Sequence, residues 1–194
     1  MKKSRIFILV LVLLLTVLVS AENLALNKKY LVNLPAEASY PDSGVELTDG
    51  KKATASIYNA GWAGYLRQDY RIFIVDLGAT YEINDITISA LQDVVTGVHL
   101  PKWTCFSTST DGRRWKAIDV VELDEMDLPN GIVRYTIASR SNNAKARYVA
   151  LKLEVGTWLF VDEITVEGNL DTKEDITISC TLEEIDFKEI EFDY

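Results

Sequence analysis

From Glu22 onward the apolar residues recur mostly at every second position, in short runs set apart by Gly, Pro, Asp, Asn and Ser. Almost no stretch repeats at the 3.6-residue period of a helix, so the chain can build strands and little else. Candidate strands are residues 71–77, 83–91, 104–109, 115–121, 132–138, 147–155 and 160–167. Seven or eight short strands over about 150 residues predict an all-β fold, a β-sandwich or jelly roll. Faces follow from the alternation: Ile83, Ile86 and Ile88 point inward while Thr87 and Ser89 point out. Likewise Val149, Leu151 and Leu153 oppose Tyr148, Ala150 and Lys152. Thr110-Asp111-Gly112 is a tight-turn signal between Phe106 and Trp115, which predicts a hairpin there.

The first 21 residues read differently. Lys2, Lys3 and Arg5 precede an apolar run that ends in Val19-Ser20-Ala21, the pattern of a secretory signal peptide. The run is shorter than the ~20 residues a helix needs to cross a bilayer, so membrane contact is expected only during export. The expected location is secreted, periplasmic or in the cell envelope. Losing those three cations leaves the mature chain more acidic than the formal charge of −9 of the full sequence. Acidity of that size disfavours nucleic acid and anionic lipid as partners. An oxidising compartment permits a disulfide between Cys105 and Cys180, and Cys105, alternating with inward Phe106, is expected to face out. Two isolated cysteines and the lone His99 have no metal-ligand spacing.

Two further segments stand apart. Residues 34–64 are rich in Pro, Asp, Ser, Gly and Ala with no clear period, and predict loops, where sandwiches usually carry their sites. Residues 170–194 hold nine carboxylates against Lys173 and Lys188. Within them Ile176, Ile178, Cys180 and Leu182 alternate as a strand does, and Ile185, Phe187, Ile190 and Phe192 are apolar among acids. This extension is expected to add a strand, either to its own domain (22–169) or to a protein partner.

Several segments, in order, resemble the discoidin family, also called the coagulation factor 5/8 type C family, which includes many bacterial carbohydrate-binding modules. They are Asn23-Leu24-Ala25-Leu26-Asn27, Leu47-Thr48-Asp49-Gly50 with Thr54, Val75-Asp76-Leu77-Gly78, and the strand Ile83 to Ile88. Further on come Leu100-Pro101-Lys102, the stretch from Phe106 to Gly112, Ala146-Arg147-Tyr148-Val149, and the stretch from Trp158 to Ile164. The resemblance spans residues 22–168 and implies a galactose-binding-like sandwich.

It also implies one structural calcium. The family's ligands resemble Asp49, Thr54 and Glu163, with backbone carbonyls near Leu47 and Lys52. Calcium takes six to eight oxygens, which such a loop and a distant glutamate can supply. The plainer alternative is a simple turn at Asp49-Gly50 and a solvated Glu163, and Lys51 and Lys52 depart from the less basic residues usual in that loop.

Sugar-binding members of the family stack an aromatic ring on a pyranose, with polar groups on its hydroxyls. The matching candidates are Tyr58, Trp62 and Tyr65 in the long loop, Gln92, Asp93 and His99 after strand 83–91, and Trp158. Trp62 is the first choice, because Ala60-Gly61 and Ala63-Gly64 hold little that would bury it. For Trp158, which precedes Leu159 and Phe160, packing is the stronger reading, and His99 is equally consistent with a solvent-facing loop residue. Trp103 and Trp115 flank strands and read as structural.

No catalytic constellation is legible. Asp162 and Glu163 are adjacent on a strand and are expected to point to opposite faces, whereas a glycosidase needs two carboxyls facing one bond. There is no Ser-His-Asp set in a recognisable context, no histidine pair and no Gly-rich phosphate loop. The expected function is that of a secreted, calcium-stabilised, non-catalytic carbohydrate-binding module, and the alternative is an adhesion or assembly protein that uses the same fold on a protein partner.

Overall fold

The computed structural model describes residues 21–192 except 68, 125–127, 141–142 and 176–179. The signal-peptide reading of residues 1–20 and the strand reading of Ile176 and Ile178 therefore lie outside the described residues. Among the described residues no helix is long and apolar enough to cross a membrane.

Among the described residues nine strands follow in order: β1 (Glu22–Asn23), β2 (Tyr30–Val32), β3 (Ala63–Leu66), β4 (Tyr70–Gln92), β5 (Trp103–Ser109), β6 (Lys116–Glu122), β7 (Val133–Ala138), β8 (Ala144–Glu154) and β9 (Trp158–Glu174). The ladders between these strands are all antiparallel. The expected strands 71–77 and 83–91 are two halves of the single strand β4. Its first half pairs with β2 and β8, and its second half with β9 and β7.

The register breaks between Asp76 and Tyr81, at Gly78 with φ +85°. There the chain passes from one layer to the other. Arg147 of β8 pins the bend with two bonds to the Asp76 carboxylate, Nε to Oδ1 at 2.8 Å and Nη2 to Oδ2 at 2.9 Å. Two parallel N–H donors to one half-buried carboxylate make the stronger, geometry-specific kind of ion pair.

The inward faces agree with the alternation. Ile83, Ile86 and Ile88 of β4 meet Val149, Leu151 and Leu153 of β8 and Phe106 of β5 in one core. The opposite face of the first layer is buried too. Ile72, Ile74, Tyr148 and Ala150 point away from that core and are covered by Cys180, Leu182, Ile185 and Ile190 of the acidic extension.

The extension thus differs from the expected added strand. From residue 180 onward it carries two short 3-10 turns, Leu182–Glu184 and Phe187–Glu189, laid across its own sheet. The Tyr148 hydroxyl donates to the Cys180 carbonyl, and the Ser107 hydroxyl to that of Glu191. The domain boundary drawn at 169/170 also falls inside β9, which continues to Glu174. The physical reason is that the apolar side chains gain more by covering the apolar outer face of β4 and β8 than by extending an edge.

The predicted hairpin joins β5 to β6. Asp111 accepts the N–H groups of Arg113 and Arg114 at 2.9 Å each, and Gly112 takes φ +75°. A Cβ on Gly112 would lie 2.6 Å from Cys180 Sγ, so the turn is also the seat of the extension. Cys105 points outward as expected, since its neighbours Phe106 and Ser107 face the core and the extension respectively. It is buried there, and Cys105 and Cys180 are not joined in a disulfide.

Candidate functional site

At one end of the sandwich the loop after β4, the start of β5, the end of β8 and the 128–131 loop enclose an open cleft of about 810 Å³. That volume lies within the usual range for ligand pockets. Leu100, Pro101, Leu123, Leu128 and Pro129 give it apolar walls, and Gln92, His99, Lys102, Asn130, Glu154 and Thr157 bring polar groups to it.

The backbone holds these groups by short-range pairing. Asp93 and Val98 exchange both backbone bonds at 3.0 Å, closing a tight loop around the turn Val94–Thr96, with Gly97 at φ +81°. The next residue, His99, is tied to β9 through its N–H to the Trp158 carbonyl (3.2 Å). Gln92 is itself 4% exposed. Its side-chain amide donates to the Pro129 carbonyl and, at 3.5 Å, to that of Gly131, so it fixes the far lip of the cleft. Glu154 accepts the Lys102 N–H at 2.7 Å and joins the two strands that form the cleft floor.

Of the sequence candidates, Gln92 and His99 are brought together in this cleft. Asp93 lies beside it but is buried, and its Oδ1 has no hydrogen-bond partner in the structure. Trp158 is half-buried, edge-on to Tyr40 and Phe160 at ring centroid distances of 5.7 and 5.6 Å, which agrees with the packing reading. Tyr58 is 90% exposed but does not line the cleft.

Trp62 and Tyr65 are buried and do not present their rings to a ligand, contrary to the expectation from the loop composition. Trp62 is 1% exposed, packed with Ala53, Leu91, Val98 and Phe160, and its indole N–H donates to the Thr54 carbonyl at 2.9 Å. The small residues around it do not leave it bare. They let neighbouring segments close in, since a Cβ on Gly64 would come within 2.7 Å of Tyr40 Cβ. Tyr65 sits in β3, not in a loop. Its ring meets Phe73 edge-on at 5.3 Å, and its hydroxyl donates to Asp42 Oδ2 at 2.8 Å. Burial, reinforced by the Asp42 charge, pushes the Tyr65 hydroxyl pKa well above its ordinary value.

No Phe, Tyr or Trp side chain lines the cleft among the described residues. Lys102, Asn130, Glu154 and Thr157 were missed because nothing local marks them; the cleft is assembled from four separated segments.

The loop proposed for calcium lies across β9. Glu163 is 3% exposed, which overturns the solvated alternative, and both its oxygens accept the Gly50 N–H at 3.2 Å. Burial pushes its carboxyl up to about 7, against the pull of that N–H and helped by the charges of Asp49 and Asp162. A buried carboxylate facing a second one is a place where a cation would relieve repulsion. Asp49 is meanwhile held by the Lys51 ammonium at 2.8 Å, and Thr54 Oγ1 accepts the Asn59 amide at 2.8 Å. Leu47 is buried and Lys52 exposed. Among the described residues no three His, Cys, Asp or Glu side chains are grouped to hold a metal, so a hard cation here would draw much of its shell from carbonyl oxygens.

Asp162 and Glu163 do not point to opposite faces. The β4–β9 register slips between Ser89 and Ala90, leaving Asp162 as an extra residue, and both carboxylates turn outward. A β-bulge of this kind breaks strand alternation. Asp162 is consumed by Arg134 (Nε to Oδ2, 2.6 Å), by the Ser89 hydroxyl and by the Ala53 N–H (2.8 Å), which ties the 50–53 loop down.

No protein-family model matches the chain, and no curated protein matches its sequence. Solved structures do match in fold. The carbohydrate-binding module CpGH89CBM32-5 from Clostridium perfringens, in complex with GalNAc-β-1,3-galactose, is 20% identical, covers 76% of this chain and 99% of its own, and has a TM-score of 0.53. The lectin-binding domain of lectinolysin, complexed with Lewis b, is 16% identical over 78% of this chain and 99% of its own, with a TM-score of 0.57. A fucolectin from striped bass (Morone saxatilis) serum is 20% identical over 77% of this chain and 49% of its own, also at 0.57. Strand order, core and these likenesses agree with the segments from Asn23 to Ile164: the chain folds as a discoidin-type, galactose-binding-like β-sandwich.

Proposed function

We propose that the protein binds carbohydrate in the cleft at the end of the sandwich and performs no chemistry on it. The observation that supports this most directly is the convergence of Gln92, His99, Lys102, Asn130, Glu154 and Thr157 on apolar walls, in a fold whose solved relatives include glycan complexes. Donors and acceptors at the cleft suit sugar hydroxyls, and Leu100 and Pro101 suit the C–H face of a ring in place of an aromatic platform. Without ring stacking, a monosaccharide of about 12 heavy atoms at about 0.3 kcal/mol per atom reaches only millimolar affinity, so oligosaccharides are the expected ligands. A glycan array followed by calorimetry on galactose-type oligosaccharides tests this. His99→Ala and Asn130→Ala are each expected to weaken binding about tenfold with the melting temperature unchanged. Binding that survives both substitutions places the site elsewhere.

The proposed setting is extracellular, following export by the leader. The alternative protein partner draws no support from the acidic extension, whose apolar residues are spent on their own sheet.

We further propose that calcium braces the loop against β9, held by Glu163 and Asp49, by carbonyls at Leu47 and Lys52, and by Thr54. It would neutralise the two carboxylates and join the loop to the last long strand. With free calcium 100-fold above its Kd, stability is expected to rise by about 2.7 kcal/mol, read as a higher melting temperature than in chelator. Glu163→Gln is expected to abolish that difference, and an identical melting curve with and without calcium in the unaltered protein refutes the metal.

A further inference from the structure

Strands β5 and β8, which meet at the cleft floor, run on beside β6 to a second opening at their other ends. It is formed by Thr108 and Thr110 at the end of β5, Arg114 and Lys116 around the start of β6, and Asn143 and Lys145 at the start of β8. The groove holds about 490 Å³. Lys145 and Glu154 sit nine residues apart on β8, which at about 3.3 Å per residue separates the two openings by about 30 Å.

The chemistry of this groove opposes that of the molecule. In a chain of formal charge −9, Arg113-Arg114-Trp115-Lys116 places three cations in four residues, and β8 adds Lys145 across the groove. Arg114 and Lys145 already meet carboxylates, Asp111 at 3.0 Å and Glu174 at 2.5 Å. The Lys145–Glu174 pair is exposed on both sides and screened by water, so an incoming anion can displace Glu174. Asp111 is largely covered and held by the N–H groups of its turn, but the exposed Arg114 side chain can swing from it to an anion. Between the cations stand hydroxyls, the Asn143 amide and the apolar Ile118 and Ala117. That combination matches a sugar ring carrying an acidic group: cations for the charge, hydroxyls and amide for the ring substituents, Ile118 for its C–H face. Bare phosphate polymers with bases fit less well, because among the described residues no aromatic side chain lines the groove for a base to stack on.

We propose that this groove is a second binding site, selective for acidic polysaccharide, in which Arg114, Lys116 and Lys145 take the carboxylate or sulfate groups. It is independent of the cleft, so either site can fail without the other.

The test is calorimetric titration of the purified protein with oligogalacturonate, which carries carboxylates, and with chondroitin sulfate oligosaccharide, which carries sulfates, at 50 and 200 mM NaCl. Binding of at least one is expected, weaker at higher salt. The double variant Lys116→Gln, Lys145→Gln is expected to lower its affinity at least tenfold, while His99→Ala leaves it unchanged. Both lysines are exposed, and an unshifted melting temperature verifies the fold of the variant. The proposal is overturned if neither acidic oligosaccharide binds, if the double variant binds as the parent does, or if single-stranded DNA binds equally well.

Discussion

A chain ending at Glu174, with β9 intact, is expected to lose about 3–5 kcal/mol of stability and to melt about 10 °C lower, with new binding of a hydrophobic dye. Leu182, Ile185 and Ile190 are 5, 6 and 7% exposed, and each buried aliphatic of this size contributes about 1.5–3 kcal/mol before the cost of ordering the segment. Removing them bares Ile72, Ile74 and Tyr148 on the outer face of the sheet. Should the truncated chain fail to fold, Ile185→Asp in the full chain supplies the same measurement, by placing an unpaired charge where the side chain is buried. A melting temperature within about 2 °C of the parent in both variants would show that the extension is not part of the domain.

Trp62→Ala is expected to cost about 3–5 kcal/mol, seen as a lower urea midpoint with an unchanged slope. The indole is enclosed and its N–H satisfied, so truncation leaves a cavity among Ala53, Leu91, Val98 and Phe160. Tyr58→Ala, at the exposed ring nearby in sequence, is expected to fall within about 0.5 kcal/mol of the parent. Any loss of glycan binding in Trp62→Ala therefore has to be read against its stability first. An unchanged midpoint would put the indole in solvent and revive it as a stacking platform.

Period-two alternation carried the strands of the core because each inward residue there faces apolar neighbours on one side and something polar on the other. The short strands β1, β2 and β3 were not legible, since two to four residues such as Ala63-Gly64-Tyr65-Leu66 hold too few alternations to show a period. The covering of the outer sheet face did leave a trace: Ile72-Phe73-Ile74-Val75 is unbroken, as strands buried on both sides are. The site was harder. Composition around Trp62 suggested exposure, yet small residues also mark places where backbones approach, and sequence alone does not separate the two. The bulge at Asp162 is invisible for the same reason: it depends on how β9 slips against β4, not on any residue of β9.

The ladders also bear on how the chain reaches this state. Glu22 pairs with Gly168, Ala63 with Val161 and Tyr30 with Val75, so the early strands wait for partners that come far later in the chain. With loop closures this long, folding is expected in the millisecond-to-second range typical of sandwiches. Until β9 has been made, β1, β3 and the second half of β4 have unfilled edges, and a nascent chain halted before residue 158 holds no more than a partial sheet.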